Sequence, residues 1–146
     1  MQRFLDIFFS TISIIFFSPL FIFIILLLRF TGEGEVFYLQ ERVGKDKNIF
    51  RLFKFVTMVK NSSNMGTGYV TVKDDPRVLP VGRFLRKTKI NELPQLFNIF
   101  LGHMSVIGPR PQSKRCFDAF LKEHQEYIVK VRPGLSGMGS IIFRDE

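Results

Sequence analysis

The sequence has no tryptophan, one cysteine and two histidines. Cys116 has no second cysteine to pair with, which excludes an intramolecular disulfide and a cysteine-rich metal site. His103 and His124 lie far apart in the sequence and argue against a zinc enzyme. There is also no internal repeat and no low-complexity tract. These absences exclude a disulfide scaffold, a zinc-finger module and a repeat protein.

Acidic residues are also under-represented, since 21 lysines and arginines face 13 aspartates and glutamates, for a net charge of +8. An excess of this size indicates an anionic partner, such as nucleic acid, acidic lipid or a phosphorylated substrate. The sequence carries no recognised nucleic-acid-binding motif and no evident aromatic stacking face. We therefore expect no nucleic-acid partner.

A long uncharged run from Ile7 to Leu28 lies between Arg3 and Asp6 on one side and Arg29 on the other. As a helix it would extend roughly 33 Å at ~1.5 Å per residue, which matches the hydrocarbon core of a bilayer. The run is long for a secretory signal, and no small-x-small cleavage pattern follows it. It predicts a membrane segment that is retained in the mature protein.

Ser18 and Pro19 lie near the centre of this run. Pro19 cannot donate to the carbonyl of Ile15, and its ring crowds that turn, so a bend is expected. The residues leave two alternatives open: a kinked helix that spans the bilayer, or a helix that bends back and leaves by the face it entered. The rest of the chain carries 19 basic and 12 acidic residues, which favours the cytoplasmic side for the body.

The polar break at residues 31–34 predicts a domain boundary, with a membrane segment over 1–30 and a soluble domain over 31–146. Residues 36–39 and 49–55 are typical of short strands, and 43–48 of the turn between them. Residues 61–68 are polar and predict a flexible loop. The expected fold class is α+β, a small domain of short helices and few strands.

Three helical segments are predicted in this domain. A short helix over 84–87 should end near Thr88. Asn91 is expected to cap a helix that has Pro94 in its first turn and ends at Gly102. Apolar residues recur at helical spacing from 117 to 131 and predict an amphipathic helix. That helix either packs on the core or docks on the membrane surface.

The candidate binding residues are basic or acidic side chains, some of them on a backbone that proline makes rigid. Arg110 is flanked by two prolines, which reduces the freedom that its guanidinium loses on binding an anion. Arg77 and Arg86 are further candidates for phosphate binding, because arginine presents paired donors to phosphate oxygens. Glu92 could hold a divalent ion that bridges phosphates. For each of these residues a purely structural or solvated role is the alternative.

Taken together, these motifs resemble the small monotopic phosphoglycosyl transferases of the bacterial sugar transferase family. The resemblance runs along nearly the whole chain and rests on the order and spacing of its parts, which are residues 3–7, Ser18-Pro19, 36–44, 54–58, 74–77, 93–98, 104–111 and 131–137.

The resemblance implies a re-entrant helix that bends at Ser18 and Pro19, with the catalytic domain on the cytoplasmic face of the bacterial inner membrane and interfacial amphipathic helices. It also implies a reaction that uses Mg²⁺. A carboxylate attacks the sugar-bearing phosphate of a UDP-sugar, UMP leaves, and polyprenyl (undecaprenyl) phosphate then takes up the phosphosugar. This would be the first membrane step of surface glycan assembly.

The family's nucleophile and metal-binding acid form an Asp-Glu pair, which here is Asn91-Glu92. An amide oxygen is uncharged and a poor nucleophile, so Asn91 should not form the usual acyl-phosphate. Glu92 is the expected metal ligand, and Lys54, Arg77, Arg86 and Arg110 are the expected phosphate-binding residues. Three outcomes stay open: Glu92 is the nucleophile, transfer is direct, or the protein is a catalytically silent binding or assembly module.

Two further positions depart from the family's pattern. Val56 stands where arginine is usual, and His103 stands where aspartate is usual. The chain also ends at residues 143–146 without a clear closing element, which is typical of a truncated domain. The residues do not fix the oligomeric state, and a homodimer is one alternative.

Overall fold

The computed structural model describes residues 1–31, 33–66, 71–72 and 74–137. The α-helices are α1 (Gln2–Thr31), α2 (Pro80–Lys87), α3 (Gln95–Leu101), α4 (Lys114–Asp118) and α5 (Lys122–Ile128). The strands are β1 (Phe37–Val43), β2 (Ile49–Phe55), β3 (Ser105–Ile107) and β4 (Gly134–Ser136), and short 3₁₀ turns cover Lys45–Lys47, Ser62–Asn64 and Ile90–Glu92. The predicted mixture of short helices and few strands is confirmed.

The chain forms two compact units. The first unit contains Met1–Phe16, Leu39–Phe53 and Gln95–Glu146, and the second contains Phe17–Tyr38 and Lys54–Pro94.

Helix α1 is long and apolar enough to cross a membrane. It is helical from Gln2 to Thr31 with Pro19 inside it, so the predicted helix-break-helix is not found as an interruption of the helix. The re-entrant path through the bilayer stays a prediction. Many of its large side chains are exposed, including Phe4, Phe16 and Phe23.

The core of the second unit forms around the second half of α1. Phe21, Ile24 and Leu28 are buried there together with Phe55 of β2 and Leu85 of α2. The rings of Phe21 and Phe55 lie 5.6 Å apart between centroids. Burial of each such side chain contributes about 1.5–3 kcal/mol, so apolar packing attaches the end of α1 to β2 and α2.

Polar contacts attach the start of α1 within the first unit. The buried carboxylate of Asp6 accepts hydrogen bonds from the Ser105 hydroxyl at 2.8 Å and from the Val106 N–H at 3.0 Å. Arg3 donates to the carbonyls of Ile99 and Phe100, both at 2.6 Å. These carbonyls end α3, where the helix dipole favours a cation. The flanking charges seen in the sequence are therefore structural contacts.

Strands β1 and β2 pair as the predicted hairpin. The buried side chain of Asn98 bonds to β2 at two points. Its amide donates to the Arg51 carbonyl at 2.7 Å, and its oxygen accepts from the Phe53 N–H at 2.9 Å. Asn98 thus bonds to backbone groups at two residues of β2.

A second, parallel pair of strands was not predicted. β3 pairs with β4 in the register Ser105 to Gly134 and Ile107 to Ser136. Each strand is three residues long, too short to show an alternating pattern in the sequence. A Cβ on Gly108 would lie 2.4 Å from the Arg132 carbonyl, so this close approach requires glycine.

The predicted N-cap role of Asn91 is wrong. Asn91 lies inside the 3₁₀ turn Ile90–Glu92, and α3 begins at Gln95. Because Pro94 has no N–H, it cannot form the α-helical bond to the Ile90 carbonyl. The Leu93 N–H donates to that carbonyl instead, at 3.0 Å. The predicted end of α3 at Gly102 is confirmed, and Gly102 has a φ of 90°.

The other two predicted helices are found with changed bounds. The short helix α2 ends at Lys87 with Thr88 as its C-cap, as predicted, but it begins earlier, with Pro80 in its first turn. The amphipathic stretch 117–131 is divided between α4 and α5. Phe117 is buried, whereas Leu121 and Val131 are exposed. Only some of the apolar residues at helical spacing therefore pack in the core. Docking of this stretch on a membrane stays a prediction.

Parts of three predictions lie outside the described residues. These are the glycine in the boundary at 31–34, the end of the polar loop at 61–68, and the chain end at 143–146.

Candidate active site

Lys54 and Glu92 form an ion pair in the second unit, with 3.6 Å between Nζ and Oε1. Their side chains are 20% and 30% exposed, so the pair is accessible without being fully hydrated. Lys54 lies near the end of β2, and Glu92 ends the 3₁₀ turn that follows α2. Lys89 starts that turn with a φ of 61°, and this reversal directs the chain from α2 back toward α3.

Asn91 lies next to this pair in the sequence, and its side-chain oxygen is buried. Within the described part of the chain, no hydrogen-bond donor reaches Oδ1 of Asn91. A buried polar atom without a partner costs about 1–3 kcal/mol. A cation or a donor group on a bound ligand would remove that cost.

Arg86 is positioned by Thr57, a residue that the sequence did not single out as functional. The Nε–H of Arg86 donates to the Thr57 hydroxyl at 2.9 Å. Helix α2 approaches Thr57 closely, since a Cβ on Gly82 would lie 2.1 Å from the Thr57 carbonyl oxygen. Partial burial lowers the pKa of Arg86, but an arginine remains protonated at neutral pH. The predicted phosphate ligand therefore has a fixed guanidinium.

Arg77 is buried and binds protein groups. It forms a two-point ion pair with Asp75 and donates from Nη1 to the carbonyls of Ser62 and Met65, both at 2.7 Å. Hydrogen bonds from Arg77 hold the pKa of the Asp75 carboxyl well below its usual range, and the same pair raises the pKa of Arg77. A phosphate contact at Arg77, as predicted from the sequence, would have to replace these bonds.

The remaining predicted site residues lie elsewhere in the fold. Arg110 follows β3 in the first unit and is exposed, and its carbonyl accepts from the Gln112 side chain at 3.1 Å. Ser18 and Pro19 lie inside α1. The structure thus brings Lys54 and Glu92 together, while a site shared by Arg86, Glu92 and Arg110 stays a prediction.

The residues present fit a magnesium ion. The described residues contain no group of three or more His, Cys, Asp or Glu that could hold a metal. Mg²⁺ does not require one, because it is usually bound by one or two carboxylates together with substrate phosphates and water. The Glu92 carboxylate and the unpaired oxygen of Asn91 are both oxygen ligands of the kind this ion prefers.

The fold is a mixed helix and strand domain with an N-terminal helix that is long and apolar enough to cross a membrane. The chain matches the bacterial sugar transferase family over residues 1–146, and it belongs to that family. The predicted resemblance is confirmed.

Three relatives illustrate the match. The chain is 41% identical to the UDP-N-acetylgalactosamine-undecaprenyl-phosphate N-acetylgalactosaminephosphotransferase of Aeromonas hydrophila, over 97% of this chain and 34% of the relative. It is 35% identical to the UDP-glucose:undecaprenyl-phosphate glucose-1-phosphate transferase of Klebsiella pneumoniae, over 96% of this chain and 30% of the relative. It is 33% identical to the exopolysaccharide production protein ExoY of Sinorhizobium fredii (strain NBRC 101917 / NGR234), over 99% of this chain and 70% of the relative. The chain thus spans about a third of the first two relatives.

Proposed function

We propose that this protein transfers sugar-1-phosphate from a UDP-sugar to polyprenyl (undecaprenyl) phosphate. The products are the polyprenyl-diphosphate sugar and UMP. Two of the relatives are named for phosphosugar transfer involving undecaprenyl phosphate, and a third for exopolysaccharide production. These names support a role early in the assembly of a surface glycan.

The observation that carries this proposal is the Lys54–Glu92 ion pair. Its acid directly follows Asn91 in the sequence, and no described donor reaches the buried side-chain oxygen of Asn91. The Lys54 ammonium would neutralise charge on the donor's phosphates. Arg86, held by Thr57, adds a second cation in the same unit. Preorganised cations of this kind stabilise the charge that develops on transferring phosphoryl groups.

Glu92 and the Asn91 oxygen would hold a Mg²⁺ ion, which when bound offsets phosphate charge and orients the diphosphate. Removal of divalent metal should therefore abolish turnover.

Because asparagine stands where the family has its nucleophile, the phosphosugar could reach the lipid by either of two routes. In a direct route, an oxygen of the polyprenyl phosphate bonds to the sugar-bearing phosphorus, and the bond to UMP breaks with its electrons leaving on UMP. In a two-step route, the Glu92 carboxylate makes the first attack and the lipid phosphate makes the second. Both routes give the same products, and neither requires Asn91 as nucleophile.

Two measurements test the proposal. UMP release from a panel of UDP-sugars is followed in membranes that contain polyprenyl phosphate and Mg²⁺, and no release with any sugar would reject it. Intact-mass analysis without lipid acceptor then separates the routes, because only the two-step route adds one phosphosugar to the protein.

A second candidate is favoured by Asn91 itself: a catalytically silent membrane-bound module that binds without turnover. It shares the fold and the cations with the first candidate but predicts no UMP release. Restoring the carboxylate in Asn91→Asp should then create an activity that the natural chain lacks.

The contacts of α1 support a re-entrant arrangement in the inner membrane, with the domain on the cytoplasmic face. The start of the helix bonds to α3 and β3 through Arg3 and Asp6. Its second half packs on Phe55 and Leu85. Each half of α1 thus contacts elements of its own unit. Because the basic excess of the rest of the chain favours the cytoplasmic side, we propose that both ends of α1 stay on that side of the bilayer.

A further inference from the structure

The first unit contains a surface cleft with a volume of about 640 Å³. Its walls come from the hairpin turn, from β2, from the end of α3 and from the loop before β4. Three of its lining residues are basic, namely Lys45, Arg51 and Arg132, and His103 is a fourth residue with side-chain nitrogens. None of the four belongs to the Lys54–Glu92 group.

The charges in this cleft are unbalanced. Asp46 is the acidic residue among its described lining residues. Across the described ranges, no carboxylate lies within ion-pair distance of Lys45, Arg51 or Arg132. Concave basic surfaces concentrate field and attract anions, so the cleft has the charge of an anion site.

Hydrogen bonds from the buried residue Asn98 also hold part of the cleft lining in place. Fully buried Asn98 accepts the His103 N–H on its backbone carbonyl at 3.0 Å, and its side chain donates to the Arg51 carbonyl at 2.7 Å. The rings of His103 and Phe50 lie 5.8 Å apart between centroids. One buried residue thus fixes the backbone of two cleft residues, which reduces the cost of binding.

The loop before β4, which forms the fourth wall of the cleft, is also held in place by backbone hydrogen bonds. The Ser105 N–H donates to the Pro133 carbonyl at 2.9 Å, and the Gly134 N–H donates to the Pro109 carbonyl at 2.8 Å. These bonds hold the two residues that follow Arg132, and the Arg132 carbonyl itself lies against Gly108. The guanidinium therefore extends from a fixed backbone position.

We propose that this cleft binds the phosphate group of a ligand, with Arg51 and Arg132 as its principal contacts and Lys45 and His103 beside them. The phosphate belongs either to a soluble phosphorylated compound or to an anionic lipid headgroup. The inference does not depend on the proposed transfer activity, because it uses other residues and concerns binding alone.

The test uses the full chain in nanodiscs of zwitterionic phosphatidylcholine, with inorganic pyrophosphate as the probe and EDTA present so that no metal contributes. Binding is measured by isothermal titration calorimetry at low salt. The double variant Arg51→Gln/Arg132→Gln should bind about 100-fold more weakly, since each charge-assisted hydrogen bond is worth about 1.5–3 kcal/mol and 1.4 kcal/mol is a factor of ten. The matched control Arg115→Gln/Lys122→Gln removes two exposed charges from α4 and α5 and should bind within about two-fold of the natural chain.

A variant expected to gain affinity guards against misfolding of the double variant. Asp46 has a φ of 56°, a conformation that asparagine tolerates well, so Asp46→Asn should keep the turn. Removing the cleft's acid should strengthen pyrophosphate binding by about two- to five-fold. Equal losses in the cleft and control variants, no binding by the natural chain, or an unchanged affinity in Asp46→Asn would each overturn the proposal.

Nanodiscs that contain phosphatidylglycerol distinguish the two sources of the phosphate. If a lipid headgroup occupies the cleft, these nanodiscs weaken pyrophosphate binding to the natural chain more than to the cleft variant, whose change reports the surface potential alone. If the ligand is soluble, the affinities of the two proteins change by the same factor between the two lipids.

Discussion

Arg77 binds both carboxylate oxygens of Asp75, with Nε 2.9 Å from Oδ1 and Nη2 2.6 Å from Oδ2. Both side chains are buried. Arg77 also donates to the carbonyls of Ser62 and Met65, which ties the loop after β2 to the segment before α2. The pair thus fixes the part of the second unit from which the Arg86 helix begins.

This pair should make stability depend on pH. Hydrogen bonds from Arg77 lower the pKa of Asp75, whereas in the unfolded chain an aspartate has a pKa of about 3.9. The unfolded chain therefore takes up a proton more readily, and acid favours it. The contribution of the pair is complete above about pH 5 and is lost as the pH falls toward the lowered pKa.

Asp75→Asn should lower the melting temperature at pH 7 and flatten its fall below pH 5, as measured by thermal unfolding in detergent. Asp74→Asn is the matched control, because Asp74 is a neighbouring exposed aspartate with a φ of 56°, which asparagine tolerates. If the curves of the natural chain and Asp75→Asn run parallel between pH 7 and pH 3, this account of the pair is wrong.

Asn98 should be a major contributor to the stability of the first unit. Asn98→Ala removes both side-chain bonds to β2 and leaves the part-buried Arg51 carbonyl and Phe53 N–H without these partners. We expect a loss of about 2–5 kcal/mol in the free energy of unfolding, measured by urea denaturation. Asn48→Ala changes an exposed asparagine in the hairpin turn and should cost less than about 0.5 kcal/mol. A small effect at Asn98 would show that water replaces its bonds.

The sequence predicted the elements whose signals are local. The hairpin follows from alternation in 49–55 and from the turn at 43–48, and the end of α3 follows from Gly102. It could not predict the pairing of β3 with β4, because that pairing depends on contacts between distant short segments. It also misplaced the start of α3, where the missing N–H of Pro94 outweighed the preference of asparagine for a cap.

The sequence predicted some residues of the candidate site but not the tertiary contacts that position them. Glu92 was named first as a possible ligand of a divalent ion, Lys54 was named through the family resemblance, and the structure brings the two side chains to 3.6 Å. The role of Thr57 could not be predicted from the sequence, because its hydrogen bond from Arg86 joins residues that only the tertiary fold brings together. The tie between Arg77 and Asp75 was likewise not evident, although their spacing allows a local turn that brings them together.

Glu92 should be essential for any turnover, and Asn91 should limit it. Glu92→Gln keeps the shape of the side chain but removes its charge, and should reduce UMP release by about 10²–10³-fold. Asn91→Asp should increase UMP release by at least about ten-fold, a change of about 1.4 kcal/mol in the barrier. Glu41→Gln, an exposed glutamate of β1, is the control. High activity in Glu92→Gln would remove this residue from the proposed mechanism.

The path of α1 through the membrane can be tested at Pro19. With no N–H, Pro19 lacks one hydrogen bond at the centre of the helix, and Pro19→Ala should add that bond and favour a straight, spanning helix. Single cysteines are placed at residue 2 and at residue 35 in a Cys116→Ser background, and spheroplasts are treated with a membrane-impermeant maleimide.

In the natural helix neither position should be labelled, because the contacts of Arg3 and Asp6 hold the start of α1 to folded elements of the first unit. In Pro19→Ala a fraction of the chains should become labelled at residue 2 alone. Leu20→Ala, a neighbouring change that keeps the proline, should leave both positions protected. Labelling at residue 2 in the natural chain would establish a spanning helix and exclude the re-entrant arrangement.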